Sequence, residues 1–321
     1  MKDFIITIDT EGDNLWDYHL GETITTKNAH FIPRFQTLCE KYNFKPVYLV
    51  NYEMAQDEYF VNFAKNILQN NNCEIGIHLH AWNSPPYYEL KNGSNTYGLP
   101  YLIEYPKNIM DDKFNYLYGL LNERFNIDII SHRSGRWAMN QDYFDILINH
   151  NVKVDCSVTP YVSWNNARGF SINSKGTDYT KNSDEPYIIQ HSSREQTLLE
   201  MPVTIRKFRH FDIVISKLFH PKYFISTITN IINGKPIWLR PKGNNLSDML
   251  TLINNIQESE SPYLMFMLHS SELMPGGSPT FKTSESIEKL YKNLEILFNI
   301  IASNFRGITL KDYYLNHLSF Q

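Results

Sequence analysis

Two carboxylates and two imidazoles, each pair spaced by two residues, are the first places where this sequence could do chemistry. Asp9 and Glu11 stand in Thr7-Ile8-Asp9-Thr10-Glu11-Gly12, closing a short apolar run. In an extended strand, residues two apart point to the same face, so the two carboxylates share one side. Side by side they repel, and a cation relieves the repulsion: one oxygen set binds the ion while the other accepts a proton. A polar turn after a strand is the plainer alternative. His78 and His80 repeat the spacing in Glu74-Ile75-Gly76-Ile77-His78-Leu79-His80-Ala81-Trp82. Neutral imidazoles on one face can grip a single ion, whereas a lone histidine is more often structural.

Three further segments follow. Ser131-His132-Arg133-Ser134-Gly135-Arg136-Trp137 places two arginines around a glycine, suited to clamping a carboxylate or orienting a substrate; a surface turn with solvated arginines is the alternative. Val154-Asp155-Cys156-Ser157 offers a carboxylate. Met267-Leu268-His269-Ser270-Ser271-Glu272-Leu273 ends an apolar run in His269, placed as a general acid or as a buried histidine bonded to backbone.

These segments need elements that bring them together. Short apolar runs read as strands at Phe4–Ile8, Pro46–Val50, Glu74–His78, Ile127–Ser131, Val152–Val158, Leu198–Val203, Ile237–Leu239, Tyr263–Leu268 and Gly307–Leu310, with helices between them at about 28–42, 56–70, 111–125, 141–150, 220–232, 246–258 and 281–303. Such alternation predicts a parallel sheet, here a closed or distorted barrel. Every candidate segment falls at a strand end, where barrel enzymes gather their chemistry. Two stretches break the pattern: 83–108, rich in Tyr, Pro, Asn and Gly, and about 159–196, with Trp164, Arg168, Tyr179, Tyr187 and Arg194. Loops of that length in a compact domain are functional or disordered, and their aromatic content favours order. The expectation is one domain over 1–321 with these two insertions.

Composition narrows the classes. The chain has 321 residues, 42% hydrophobic and 20% charged, with a formal net charge of −4, which excludes a disordered chain and gives no basic excess for nucleic acid. Aromatic residues make up 14%, enough for a ring-rich core or a groove that stacks on sugar faces. Cys39, Cys73 and Cys156 form no CxxC pair, so neither a disulfide framework nor a thiolate zinc site is expected. Met1-Lys2-Asp3 runs straight into Phe4-Ile5-Ile6 without a leader-like stretch, and no apolar run approaches the ~20 residues of a membrane span; the expectation is a cytoplasmic protein. Oligomeric state is not legible.

Taken in order, an acidic motif, a histidine motif, an arginine motif, an aspartate motif and a late Leu-His resemble the polysaccharide deacetylase family (the NodB-homology group, carbohydrate esterase family 4) over about residues 4 to 270. In detail, Gly76-Ile77-His78-Leu79-His80-Ala81-Trp82 and His269-Ser270-Ser271-Glu272-Leu273 look like a cytoplasmic branch met in surface-polysaccharide biosynthesis. The resemblance implies a distorted TIM-like (β/α) barrel of about seven parallel strands with long inserted loops. It implies Asp9 as general base, Glu11, His78 and His80 as ligands of one divalent ion, Arg133 as the group holding Asp9 ionised, and His269 as general acid with Asp155 as its orienting partner. Three positions depart from the family pattern: Thr10 separates the acidic pair, Trp82 stands where the second histidine would fall, and Ser134 replaces the proline after Arg133. His132 or Asp13 could complete the ligand set in place of His80.

The implied reaction is hydrolysis of an N-acetyl group from an amino sugar. Two imidazoles and a carboxylate suit Zn²⁺, with Co²⁺, Ni²⁺ or Fe²⁺ as alternatives. Trp82, Trp137, Trp164, Arg136 and Arg240 are the candidates for contact with the N-acylated saccharide, with Tyr87 and Tyr88 behind them; core packing is the alternative for each. Pro275-Gly276-Gly277-Ser278-Pro279 reads as a loop over the site or as a turn before the last long helix. Competing readings are an N-deformylase or cyclic-amide hydrolase with the same site, and a carbohydrate-binding barrel without catalysis.

Overall fold

The computed structural model describes residues 1–94, 98–208 and 234–317. Its centre is a curled sheet of mostly parallel strands flanked by helices, a distorted (β/α) barrel. The strands are β1 (Lys2–Thr10), β2 (Pro46–Val50), β3 (Glu74–Leu79), β4 (Ser131–Ser134), β5 (Val154–Asp155), β6 (Tyr187–Gln190), β7 (Thr197–Glu200), β8 (Ile205–Phe208), β9 (Lys235–Trp238), β10 (Tyr263–His269) and β11 (Phe305–Gly307). The helices are α1 (Ile32–Lys41), α2 (Tyr52–Gln56), α3 (Glu58–Gln69), α4 (Lys107–Phe125), α5 (Gln141–Asn149), α6 (Leu246–Glu258), α7 (Ser284–Asn304) and α8 (Leu310–His317).

The main ladder runs β10-β1-β2-β3-β4-β5-β7, all parallel, with β6 antiparallel on β7 and β11 parallel to the start of β1. Those seven parallel strands agree with the expected number. Between β7 and β10 the circle is stitched rather than laddered. Met265 N–H donates to Thr204 Oγ1 at 2.8 Å, Met267 N–H to the Leu239 carbonyl at 3.2 Å, and Leu239 N–H to the Thr204 carbonyl at 3.3 Å. The antiparallel pair β8–β9 extends from this stitch.

The two-residue period of each strand sorts side chains into two cores. On β1, Phe4, Ile6 and Ile8 face the helices, where Phe4 meets Phe44 at 4.8 Å between ring centroids. Ile5 faces the barrel interior with Val47, Leu49, Val154, Met265 and Met267. Thr7 and Asp9 continue that inward row toward the strand end. The interior is thus apolar below and polar at its C-terminal mouth. Below, Ile308, Leu310 and Tyr313 plug the other end, and the Tyr313 ring stands 5.8 Å from that of Tyr263.

Some expected elements shift for local reasons. Residues 127–130 do not pair as strand; the chain leaves α4 through Asn126 in a left-handed conformation and joins the sheet only at Ser131. Leu310 is not strand but opens α8, because Thr309 Oγ1 caps Asp312 N–H at 3.1 Å while Asp312 Oδ2 accepts from Thr309 N–H at 3.1 Å. The helix expected at 220–232 lies outside the described residues. The two inserted stretches do not hang loose. Glu104 accepts from Phe170 N–H at 3.1 Å and Ser171 N–H at 2.7 Å, Ser94 N–H reaches the Phe170 carbonyl at 3.0 Å, and Tyr101 OH reaches the Ala167 carbonyl at 2.8 Å.

Gly76 lies where β2, β3 and β4 press together. A Cβ there would sit 2.4 Å from Ser131 Oγ, 2.7 Å from Leu49 Cδ2 and 2.9 Å from the Ser131 carbonyl oxygen. Gly76→Ala is expected to lower stability by about 1–3 kcal/mol through overpacking; an unfolding midpoint equal to wild type in urea would contradict this packing.

Candidate active site

Strand register assembles the site. Asp9 on β1 stands opposite His269 on β10, and His78 on β3 stands opposite Arg133 on β4. Asp9 and Arg133, both buried inside the barrel, meet at 2.6 Å between Oδ1 and Nη1. Arg133 places its other donors with care: Nη2 on Thr7 Oγ1 at 2.9 Å and Nε on the Cys156 carbonyl at 3.1 Å, with its guanidinium 5.2 Å from the Trp137 ring. Burial alone would push the Asp9 carboxyl up. The Arg133 charge, then His78 and His269, outweigh burial and hold Asp9 well below the usual carboxylate range.

Beside this pair, Glu11, His78 and His80 converge. Their ligand atoms lie within 4.8 Å of one another, with Glu11 Oε2 at 3.5 Å from His78 Nε2 and 3.3 Å from His80 Nε2. His78 donates from Nδ1 to the Arg133 carbonyl at 2.9 Å, which leaves Nε2 as a lone-pair donor to an ion. Burial and the neighbouring His78 drive His80 well below the ordinary imidazole value, so it is neutral. For His78, burial acts downward, but Asp9 and Glu11 overcome it and favour a positive charge at that spot. Two imidazole nitrogens and a carboxylate, buried and nearly touching with no cation of their own between them, fit a divalent ion. The backbone of Glu11 is fixed by Ser270 Oγ, which accepts from Glu11 N–H at 3.0 Å, and by Asn28 Nδ2, which donates to its carbonyl at 2.7 Å.

Across the mouth, His269 Nε2 stands 3.6 Å from Asp9 Oδ2 and 3.9 Å from Glu11 Oε1. Its Nδ1 lies 3.0 Å from Arg240 Nη2 and 3.3 Å from Glu272 Oε2, and Glu272 also accepts from His269 N–H at 2.8 Å. Burial would raise the Glu272 carboxyl, but Arg240 and His269 bring it down to about 2. Trp16 covers this group, edge-on to the His269 ring at 5.0 Å and 5.7 Å from the Arg240 guanidinium, with Nε1 donating to Ser271 Oγ at 3.1 Å.

Above these residues opens a cavity of about 630 Å³. All five saccharide-contact candidates, Trp82, Trp137, Trp164, Arg136 and Arg240, line it together with Asp9, Glu11, His78, His80 and His269. Trp82 stacks on His80 at 4.4 Å, and Trp137 lies parallel to Trp164 at 6.4 Å. Arg136 and Trp137 take left-handed backbone angles, φ 56° and 61°. This turns the Arg136 side chain up to the Arg168 carbonyl at 2.7 Å and over the Tyr101 ring at 4.0 Å, tying the cavity wall to both inserted stretches.

Several expectations are corrected. Asp155 does not orient His269. It points to the helix side of the sheet, 2.7 Å from His132 Nδ1 and 2.7 Å from Ser157 Oγ, and the groups at the His269 ring are Arg240 and Glu272. His132 cannot stand in as a ligand, because its Nε2 is engaged by Tyr143 OH at 2.7 Å on that same far side. Asp13 accepts from Lys27 N–H at 2.9 Å and serves the loop instead. Tyr87 and Tyr88 sit on outer hollows rather than in the main cavity. The 275–279 segment is the turn before α7: Gly276 N–H bonds the Phe281 carbonyl at 2.9 Å, and none of its residues lines the cavity. Trp16 and Tyr101 belong to no motif of the sequence, and Glu272 stood there only within the late His269-Ser270-Ser271-Glu272-Leu273 motif, without a role. Only Glu272 left a signal, its three-residue spacing from His269 in a helical first turn.

No family model matches the sequence, and no curated protein matches it. Solved structures share the fold. A Mycobacterium smegmatis protein provisionally named a polysaccharide deacetylase superposes with a TM-score of 0.56 at 11% identity, over 98% of this chain and 90% of that one. A Parabacteroides distasonis protein provisionally named a glycoside hydrolase/deacetylase gives 0.60 at 8% identity, over 97% and 70%. A 4-α-glucanotransferase from Thermococcus litoralis gives 0.52 at 10% identity, over 98% of this chain but 38% of that one. The barrel is therefore shared with proteins provisionally named a polysaccharide deacetylase and a glycoside hydrolase/deacetylase and with a glucanotransferase, and fold alone does not choose between chemistries.

The buried ion pair yields a prediction. Arg133→Met leaves Asp9 buried without a partner and is expected to cost about 3–5 kcal/mol of stability at neutral pH. Asp9 has a depressed folded pKa, so its contribution is full above its unfolded value of about 3.9 and is lost as pH falls through the folded one. The gap between variant and wild type, read by urea unfolding at pH 7 and again near pH 3, should therefore narrow in acid.

Proposed function

We propose that this protein is a metal-dependent hydrolase that removes an N-acetyl group from an amino sugar of a polysaccharide or its biosynthetic precursor. The observation that carries the reading is the ionised Asp9, paired to Arg133, standing beside the Glu11/His78/His80 cluster with His269 facing both carboxylates. Zn²⁺ is the ion that suits the donor set best.

A divalent ion held by Glu11, His78 and His80 would lower the pKa of a bound water from 15.7 toward roughly 7 and polarise the acyl oxygen. The chain supplies the proton handling. Asp9 commits Oδ1 to Arg133 and keeps Oδ2 for the proton of the attacking water. A carboxylate so strongly stabilised is a weak base, so it depends on an acidified proton donor. The amine is a very poor leaving group unless protonated, and His269 Nε2 is placed to give that proton. Once charged, the imidazolium has Glu272 at its Nδ1 to hold it. Trp82, Trp137 and Trp164 give flat apolar walls for a sugar ring, and Arg136 and Arg240 line the cavity as donors. The three cysteines are buried and unpaired, which favours a reducing compartment and hence an intracellular precursor as substrate. No helix among the described residues is long and apolar enough to cross a membrane.

Elemental analysis of the purified protein is expected to find about one equivalent of zinc or a related ion, lost in His78→Ala. Asp9→Asn is expected to keep the metal and lose about 10²–10⁴-fold in release of acetate from N-acetylated saccharides. A wild type that takes up no Zn²⁺ or Co²⁺ on reconstitution would sink the mechanism. Release of formate instead of acetate in the same screen would move the assignment to a deformylase on the same site.

A further inference from the structure

The three candidate ligands are not held alike. His78 lies within β3, where the ladder and the Arg133 carbonyl fix it. Glu11 and His80 each stand one residue beyond a strand end, β1 closing at Thr10 and β3 at Leu79. Their positions depend on the loops that follow, and among the described residues His80 Nδ1 has no hydrogen-bond partner. Both loops lead to one side chain. Glu53, on α2 and in none of the motif segments, accepts from Gly12 N–H through Oε1 at 3.0 Å and from the Asn83 side chain through Oε2. Asn51, the residue capping α2, donates to Oε1 as well.

Gly12 immediately follows Glu11. A Cβ there would meet Ile24 Cγ2 at 2.4 Å, the Thr25 carbonyl oxygen at 2.9 Å and Glu53 Oε1 at 3.2 Å, so a bare backbone is what lets the carboxylate approach. Asn83 immediately follows Trp82, whose ring stacks on His80 at 4.4 Å. One carboxylate therefore spans both loops: through Gly12 to Glu11, and through Asn83 and Trp82 to His80. The geometry points to Glu53 as a positioning residue that clasps the two loop-borne ligands into one site. A carboxylate suits this task because all its contacts are donors, which an amide would meet with only one oxygen. The inference rests on the metal reading above.

The test is the affinity of the full-length chain for Zn²⁺, measured by competition with a chromophoric chelator. The expected result is an affinity about 10–100-fold weaker for Glu53→Ala, the range typical when a group supporting a ligand is lost. Glu53→Gln, keeping one acceptor oxygen, should lose less. Asn83→Ala removes one arm of the clasp and gives a second reading if Glu53→Ala fails to fold. Combined with Glu53→Ala it should add little, because the arm is already broken. Near-UV circular dichroism matching wild type separates loss of positioning from loss of fold. Folded Glu53→Ala and Asn83→Ala that bind Zn²⁺ as tightly as wild type would overturn this inference alone. A wild type that binds no Zn²⁺ would overturn the metal reading and this inference with it.

Discussion

A guanidinium and a carboxylate meet inside the barrel, where its apolar interior gives way to a polar mouth, and the rest of the site is arranged around that fact. Desolvating each ion costs several kcal/mol, and the attraction offsets this only where geometry is close and the remaining donors are met. Arg133 meets the condition with Asp9 and Thr7 on β1 and with the Cys156 carbonyl just past the end of β5. The register of β1, β4 and β5 is therefore constrained by one side chain as well as by the ladder. The backbone of that same residue holds the His78 ring, so the Asp9 carboxylate and the His78 imidazole are set from a single position on β4.

The mouth of the barrel is built from segments with no regular structure, yet they are ordered by polar ties of the same kind. Glu104 gathers two backbone N–H groups from the opposite inserted stretch, and Arg136 reaches the Arg168 carbonyl from a left-handed turn. Such a conformation costs an ordinary residue about 1–2 kcal/mol, and here it aims a guanidinium at the wall of the cavity. Buried charge and backbone strain both collect around the cavity and its walls, as functional sites tend to show.

Much of this was legible from spacing. Apolar runs of three to seven residues set the strands, and the two-residue period put Asp9 with Glu11 and His78 with His80 on one face. The same period held the correction for Asp155: with Val154, Cys156 and Val158 turned inward, the residue between the first two had to face the helices. The partner of His269 was hidden because a strand ends there and a helical turn begins, so Glu272 returns to it at a spacing of three, not two. Trp16 and Tyr101 lie in loops, where no period exists to be read and position follows from distant contacts such as that with Ser271.

The stitched join between β7 and β10 has a consequence for how such a protein can change. Asp9, Glu11, His78, Arg133 and His269 all belong to the unbroken run β10-β1-β2-β3-β4 or to the residues just past its ends. Of the residues that line the cavity, Trp164 and Arg240 come from an insertion and from the far side of the join, whereas Trp82, Arg136 and Trp137 follow directly on β3 and β4. One side of the cavity is thus set by the unbroken ladder and the other by the join and the insertions, and the two meet where Arg240 touches His269 at 3.0 Å. Drift in the join and the insertions, by substitution or by added loop length, can reshape that side of the cavity while the carboxylates and imidazoles on the ladder stay in place. A lineage built this way can change what its cavity admits without rebuilding the cluster of carboxylates and imidazoles at its floor.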